Sequence, residues 1–82
     1  MIKNEQERVR IGQRIADLRK TTEWTDAAGI RRTGMTQAEL AERTGLQRSH
    51  IARLEKGAYG ATIDVLSAIA GALGVTIDFI NQ

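Results

Sequence analysis

The chain has 82 residues, 41% of them hydrophobic, and contains neither cysteine nor proline. A chain of this size builds one small core, and without cysteine it forms no disulfide and no thiolate metal site. The formal net charge of +2 is mild, so neither an acidic tail nor a strongly cationic chain is in question, but the charge is unevenly spread. Residues 1–34 carry eight Lys/Arg and five acids, residues 35–60 four and three, and residues 61–82 two acids with no cation. No apolar run approaches the ~20 residues of a membrane span. The start, MIKNEQERVR, is charged and leads into no apolar stretch, so no signal peptide is read there and a cytoplasmic protein is expected. Absence of proline and scarcity of β-branched runs favour an all-helical fold.

In chain order, residues 5–20 read as a first helix, because Ile11, Ile15 and Leu18 recur at spacings of four and three and form one apolar stripe. Val9 lies off that stripe. Residues 21–34, TTEWTDAAGIRRTG, break the period with two glycines, four threonines and an Asp, which marks a loop or hairpin. Trp24 is expected to anchor this insert on the body. Arg31 and Arg32, between Gly29 and Gly34, are expected at an exposed tip, either solvated or as a phosphate or minor-groove contact. Thr36-Gln37-Ala38-Glu39 fits a capping box and opens a second helix, and Gly45 suits its left-handed end. Leu46 enters the core and a third helix starts near Gln47. Gly57 stops it. Thr62 caps a fourth helix whose wide apolar face is Ile63, Leu66, Ile69, Ala70 and Leu73, and Gly74 ends it. A fifth, short helix is expected over 76–81. Val75, Ile77, Phe79 and Ile80 crowd four large apolar groups into six residues, more than a small monomer covers, so they are assigned to a two-fold dimer contact.

The most informative stretch is 47–57, QRSHIARLEKG. At ~100° per residue, Arg48, Ser49, Ala52, Arg53 and Lys56 share an arc of roughly 140°, and Ile51 and Leu54 point the other way. The outer arc holds three cations, a hydroxyl and a methyl, and no acid. An ordinary solvated helix mixes Glu and Lys at four-residue spacing. A small, cationic face instead suits close approach to a polyanion, and the planar fork of arginine reads guanine edges. With the preceding helix and its glycine turn, residues 36–56 form a helix-turn-helix unit.

Three segments, IGQRIADLRK (11–20), MTQAELAERTGLQRSHIARLEKG (35–57) and TIDVLSAIAGALGV (62–75), resemble the lambda-repressor-like, Cro/Xre family of helix-turn-helix DNA-binding domains. The resemblance implies an all-α, five-helix domain over residues 1–82, to which the sequence itself adds an extended loop between the first two helices. It implies that Gln37 contacts a phosphate and braces the third helix. Arg48, Ser49 and Arg53 match base-reading positions, and Leu40, Leu46, Ile51 and Leu54 match buried ones. Arg19 and Glu55 match a structural ion pair between the first and third helices. Two departures stand out. The 21–34 insert exceeds the family's usual short loop, and Gln47 stands where Ser or Thr often caps the third helix.

Lys56, Arg31 and Arg32 complete the expected set as DNA-backbone contacts. The expected partners are double-stranded DNA carrying an inverted repeat and a second copy of the chain, with no membrane, no cofactor and no metal. The leading reading is a homodimeric transcriptional regulator, a repressor. The alternatives are an antitoxin that also binds a toxin protein, and a pure protein-interaction module. The one histidine, His50, has no ligand-spaced or nucleophilic neighbours in the sequence, so no enzyme is expected.

Overall fold

A computed structural model describes residues 4–58 and 60–77. Its elements are α1 (Asn4–Thr21), β1 (Glu23–Thr25), β2 (Arg31–Thr33), α2 (Gln37–Thr44), α3 (Arg48–Glu55) and α4 (Ile63–Leu73). The expectation of an all-α, five-helix fold is therefore corrected. Among the described residues there are four helices and one two-stranded antiparallel sheet. Most of the expected fifth helix lies outside the described residues, and Thr76 and Ile77 within them are not helical. No described helix is long and apolar enough to cross a membrane.

The helix ends follow from local chemistry. α1 places Glu5 and Glu7 in its first turn and Arg19 and Lys20 in its last, the arrangement that complements the helix dipole. At α2 the Thr36 hydroxyl accepts from the Glu39 N–H at 3.0 Å, and the Glu39 carboxylate accepts from the Thr36 N–H at 2.8 Å. This reciprocal box satisfies two donors that a helix start otherwise leaves open. Gly45 closes α2 with φ 76°, and its N–H donates to the Ala41 carbonyl. A side chain there would meet the left-handed penalty, so glycine makes the tight turn into α3. The Thr62 hydroxyl caps α4 by accepting from the Val65 N–H.

The helices enclose one core. Leu40 of α2 and Ile51 of α3 are fully buried at its centre, surrounded by Ile15, Leu54, Ile69 and Leu73, with Met35 and Trp24 closing one side. Ile11, Leu18, Leu46 and Leu66 pack against this cluster from partly buried positions. The apolar stripe of α4 overshoots the core by one turn, so Ile63 is 58% exposed despite its place on the predicted face. Val9 is also exposed, and its backbone lies against Gly57 at the end of α3.

Gly12 sets how closely α1 crosses α3. A Cβ added there would stand 2.3 Å from the Leu54 carbonyl oxygen and 2.8 Å from that of Glu55. Only a residue without a side chain lets the two backbones meet at this distance.

The 21–34 insert is a hairpin and not an extended loop. Glu23 pairs with Thr33, Trp24 with Arg32 and Thr25 with Arg31. Its turn is built on Asp26, whose carboxylate accepts from the N–H groups of Ala28 and Ile30 at 3.0 and 2.9 Å. The tip is accordingly 27–30, and Arg31 and Arg32 sit in a strand behind it, a correction to their expected place. Trp24 is buried and its indole N–H donates to the Gly34 carbonyl at 2.8 Å, so it does anchor the insert. At the hairpin base, the Thr22 hydroxyl donates to the Leu73 carbonyl at the end of α4.

Candidate nucleic-acid interface

The inner face of α3 is fixed at several points. Ile51 and Leu54 are buried in the core. Glu55, at the end of the helix, accepts two hydrogen bonds from Arg19 of α1, at 2.6 Å from Nε and 2.9 Å from Nη2. Both side chains are at most one-tenth exposed. The third arm of the guanidinium donates to the Met35 carbonyl at 2.7 Å. Gln37, the first residue of α2, donates its side-chain N–H to the remaining lone pair of Glu55 at 3.0 Å. One carboxylate thus ties α1, the start of α2 and the end of α3 together. Burial pushes the Glu55 carboxyl up, but the hydrogen bonds from Arg19 and Gln37 outweigh it and hold the pKa below the ordinary 4.5. The same pairing raises the pKa of Arg19.

The outer face of α3 has the opposite character. Arg48, Ser49, Arg53 and Lys56 are all exposed, and Ala52 between them is half-buried. Among the described residues, the side chains of Arg48 and Lys56 make no hydrogen bond or ion pair with the rest of the chain. Gln47 stands at the N-cap with extended backbone angles and forms no side-chain cap; its carbonyl takes the His50 N–H, and the N–H groups of Arg48 and Ser49 have no capping side chain. The structure therefore presents two arginines, a hydroxyl and a lysine on a short helix whose other side cannot turn.

Arg31 and Arg32 have different surroundings. Arg31 lies on the outward side of the hairpin, in a loose pair with Glu23 at 3.6 Å, both two-thirds exposed. Arg32 shares the Trp24 side of the hairpin. Its guanidinium is 3.5 Å from Asp26 and 3.2 Å from Glu39, and it lies 5.4 Å from the centre of the indole ring. Arg43 of α2 contacts the same ring at 5.5 Å.

Of the residues assigned to a dimer contact, Val75 and Ile77 follow α4 and are 38% and 37% exposed. Phe79 and Ile80 lie outside the described residues.

Residues 30–80, well over half the chain, match the family described as Helix-turn-helix. The chain belongs to this Cro/Xre-type family of DNA-binding helix-turn-helix domains. It is similar to an immunity repressor protein of Bacillus phage phi105, with 36% identity over 70 residues that cover 85% of this chain and 41% of the relative. It is also similar to an uncharacterized HTH-type transcriptional regulator of Methanothermobacter thermautotrophicus, 51% identical over 41 residues, half of this chain and 59% of that one. The chain thus spans between about two-fifths and three-fifths of the length of these curated relatives. Among solved structures it resembles the restriction-modification controller protein C.AhdI from Aeromonas hydrophila. That match has a TM-score of 0.67 at 28% identity and covers 85% of this chain and 89% of the other.

Two features of the family site here had no strong signal in the sequence. Met35 accepts from Arg19 through its carbonyl and is buried, yet it lies at the edge of the insert with no periodic partner. Gly12 read as an ordinary helix position. A glycine on the stripe side of an otherwise regular helix was the one available hint that another backbone comes close there.

Proposed function

We propose that this chain binds double-stranded DNA sequence-specifically as a homodimeric transcriptional regulator, and that it represses by occupying its operator. The observation that carries this reading is the contrast across α3: a locked inner face and an exposed outer face of Arg48, Ser49, Arg53 and Lys56. Each subunit would insert α3 into the major groove. Arg48 and Arg53 each favour a guanine, a good bidentate pair contributing ~1–3 kcal/mol of discrimination, and Ser49 accepts or donates at a neighbouring base. Lys56, Gln37 and Arg31 contact phosphates and so add affinity without sequence preference. Gln37 suits this task because the bond from one amide hydrogen to Glu55 orients the group and leaves its second amide hydrogen to donate to a phosphate oxygen.

Val75, Ile77, Phe79 and Ile80 are proposed to join two copies about a two-fold axis. The two recognition helices would then lie roughly 34 Å apart and prefer an inverted repeat. The similarity to a phage immunity repressor and to an HTH-type transcriptional regulator supports a regulatory role. A cytoplasmic site of action fits such a role, and no catalytic activity is proposed.

Selection from a pool of random duplexes tests the whole reading. The expected result is an enriched inverted repeat with guanines in each half. Enrichment of a single half-site refutes the dimer, and failure to retain any duplex at low ionic strength refutes DNA binding.

A further inference from the structure

The hairpin joins α1 to α2, and its inward side is built around one guanidinium. Trp24 and Arg32 are register partners and share a face. Arg32 lies over the indole, with one nitrogen toward Asp26 in the hairpin turn and another toward Glu39 in the first turn of α2. Glu39 divides its two oxygens. Oε1 accepts from the Thr36 N–H and closes the capping box, and Oε2 faces Arg32. Arg43, one turn further along α2, contacts the same indole. The insert is thereby fastened along one flank of α2, and its firmest polar link ends on the carboxylate that caps that helix. Gln37, in the same first turn, follows the Thr36 cap directly and is bonded to Glu55 of α3.

We propose that Arg32 is a positioning residue, which clasps the hairpin to α2 through Asp26, Trp24 and Glu39 and so holds the capped start of α2, with Gln37, in place. This rests on the DNA-binding reading for its effect on affinity, though not for its effect on the helix cap. It reassigns a cation that its sequence position marks as a phosphate contact. A guanidinium already shared by two carboxylates and an aromatic face has to leave all three to reach a phosphate. Arg31, on the other side of the same strand, leaves no ring and breaks only long contacts, to Glu23 at 3.6 Å and to the Thr25 hydroxyl at 3.4 Å. The Thr36 N–H holds the Glu39 carboxyl below its ordinary pKa and the Arg32 charge adds to that effect, so Glu39 is ionised and available to Arg32 at neutral pH.

The experiment compares Arg32→Gln with Arg31→Gln, each first shown to be folded by circular dichroism and by Trp24 fluorescence. In the free protein, the amide hydrogen of Glu39, held by the Thr36 hydroxyl, is expected to exchange faster in Arg32→Gln and at the wild-type rate in Arg31→Gln. On duplex DNA, Arg32→Gln is expected to bind roughly twofold to fivefold more weakly, the range an exposed ion-pair network supports, with an unchanged slope of log affinity against log salt. Arg31→Gln is expected to make that slope shallower by about 0.9, the mark of one lost phosphate contact. The proposal is overturned by a shallower slope in Arg32→Gln, which makes Arg32 a direct ligand. It is equally overturned by unchanged Glu39 exchange in a folded Arg32→Gln. Should Arg32→Gln not fold, Arg32→Lys, which keeps the charge and loses the fork, carries the same two readouts. If the wild-type chain retains no duplex, the DNA reading fails, and the exchange result still decides whether Arg32 steadies the cap.

Discussion

The two sides of α3 are made of the same eight residues and obey opposite rules. On the side facing α1, Gly12 brings backbone to backbone, Ile51 and Leu54 fill the core, and Glu55 satisfies Arg19 and Gln37 at once. On the other side, Arg48, Ser49 and Lys56 stand in solvent, and Gln47 leaves the helix start uncapped. The difference shows how a small domain presents a rigid reading head. Its precision comes from interactions that never touch the target, while the groups that would touch it contribute almost nothing to the fold. Substitutions on the two faces should therefore separate cleanly into losses of stability and losses of recognition.

The largest expected loss is from Arg19→Ala. It leaves the Glu55 carboxylate nearly buried without its cation and strips the Met35 carbonyl of its donor. Breaking a buried pair from one side costs about 3–5 kcal/mol, a large share of what an 82-residue domain has. Urea denaturation checks it, and a loss under about 1 kcal/mol would mean that the pair is far better solvated than its geometry shows. The same pair gives the acid response a sign. Because the folded state holds Glu55 below its ordinary value of 4.5, its contribution is complete above that pH and is lost as pH falls through the lower folded value. Glu55→Gln should be less stable at neutral pH and should show a shallower decline between pH 5 and the acid limit, followed by circular dichroism.

Next comes Gly12→Ala. Alanine favours a helix over glycine by about 1 kcal/mol, so at an exposed position this change would stabilise α1. Here the added methyl meets the Leu54 carbonyl oxygen at 2.3 Å, backbone that cannot rotate away. Overpacking of this kind costs about 1–3 kcal/mol, so a net loss is expected. A rise in melting temperature would show that α1 and α3 cross less closely.

These two cases also show which parts of the molecule the sequence could disclose. The ends of α2 were legible because their chemistry is local: Thr36, Glu39 and Gly45 act within one turn of themselves. The ion pair was legible only through the family resemblance, since nothing in the spacing of Arg19 and Glu55 brings them together. Gly12 was silent because its role depends on carbonyls more than forty residues away. The hairpin was half legible. Its breakers and its Trp marked an anchored insert, but the strands are three residues each, too short for an alternating pattern to declare itself. The strand position of Arg31 and Arg32, behind the tip, was hidden for the same reason, and register opposite Trp24 decides that Arg32 shares its side. On the outer face of α3 the legibility was greatest, since exposure there follows from helical geometry once Ile51 and Leu54 are inside.

A smaller effect sharpens the contrast at the start of α3. The Thr36 cap of α2 has no counterpart at Gln47. Gln47→Ser supplies a short hydroxyl in an extended backbone already suited to it, and should raise stability by about 0.5–1 kcal/mol. Yet a side chain that occupies the free N–H groups of α3 also competes with any phosphate they would bind. The expected pairing of higher melting temperature with weaker DNA affinity would show that the open cap belongs to recognition. A gain in both would show that it does not.

The smallest expected effects on the fold are those of Arg48→Ala and Lys56→Ala. Neither side chain has a hydrogen-bond or ion-pair partner among the described residues, and exposed substitutions of this kind stay within about 0.5 kcal/mol. What should change is recognition, and differently for each. Arg48 starts the outer face, where a guanidinium fork reaches base edges, so its loss should flatten preference at one position in each half-site while barely moving the salt slope. Lys56 sits at the far end of the helix, where a single point charge suits a phosphate. Its loss should weaken all duplexes alike and make the slope shallower by about 0.9. Selection and salt titration on the same two variants distinguish the roles, and an interchange of the two signatures would reverse the direction in which α3 lies in the groove.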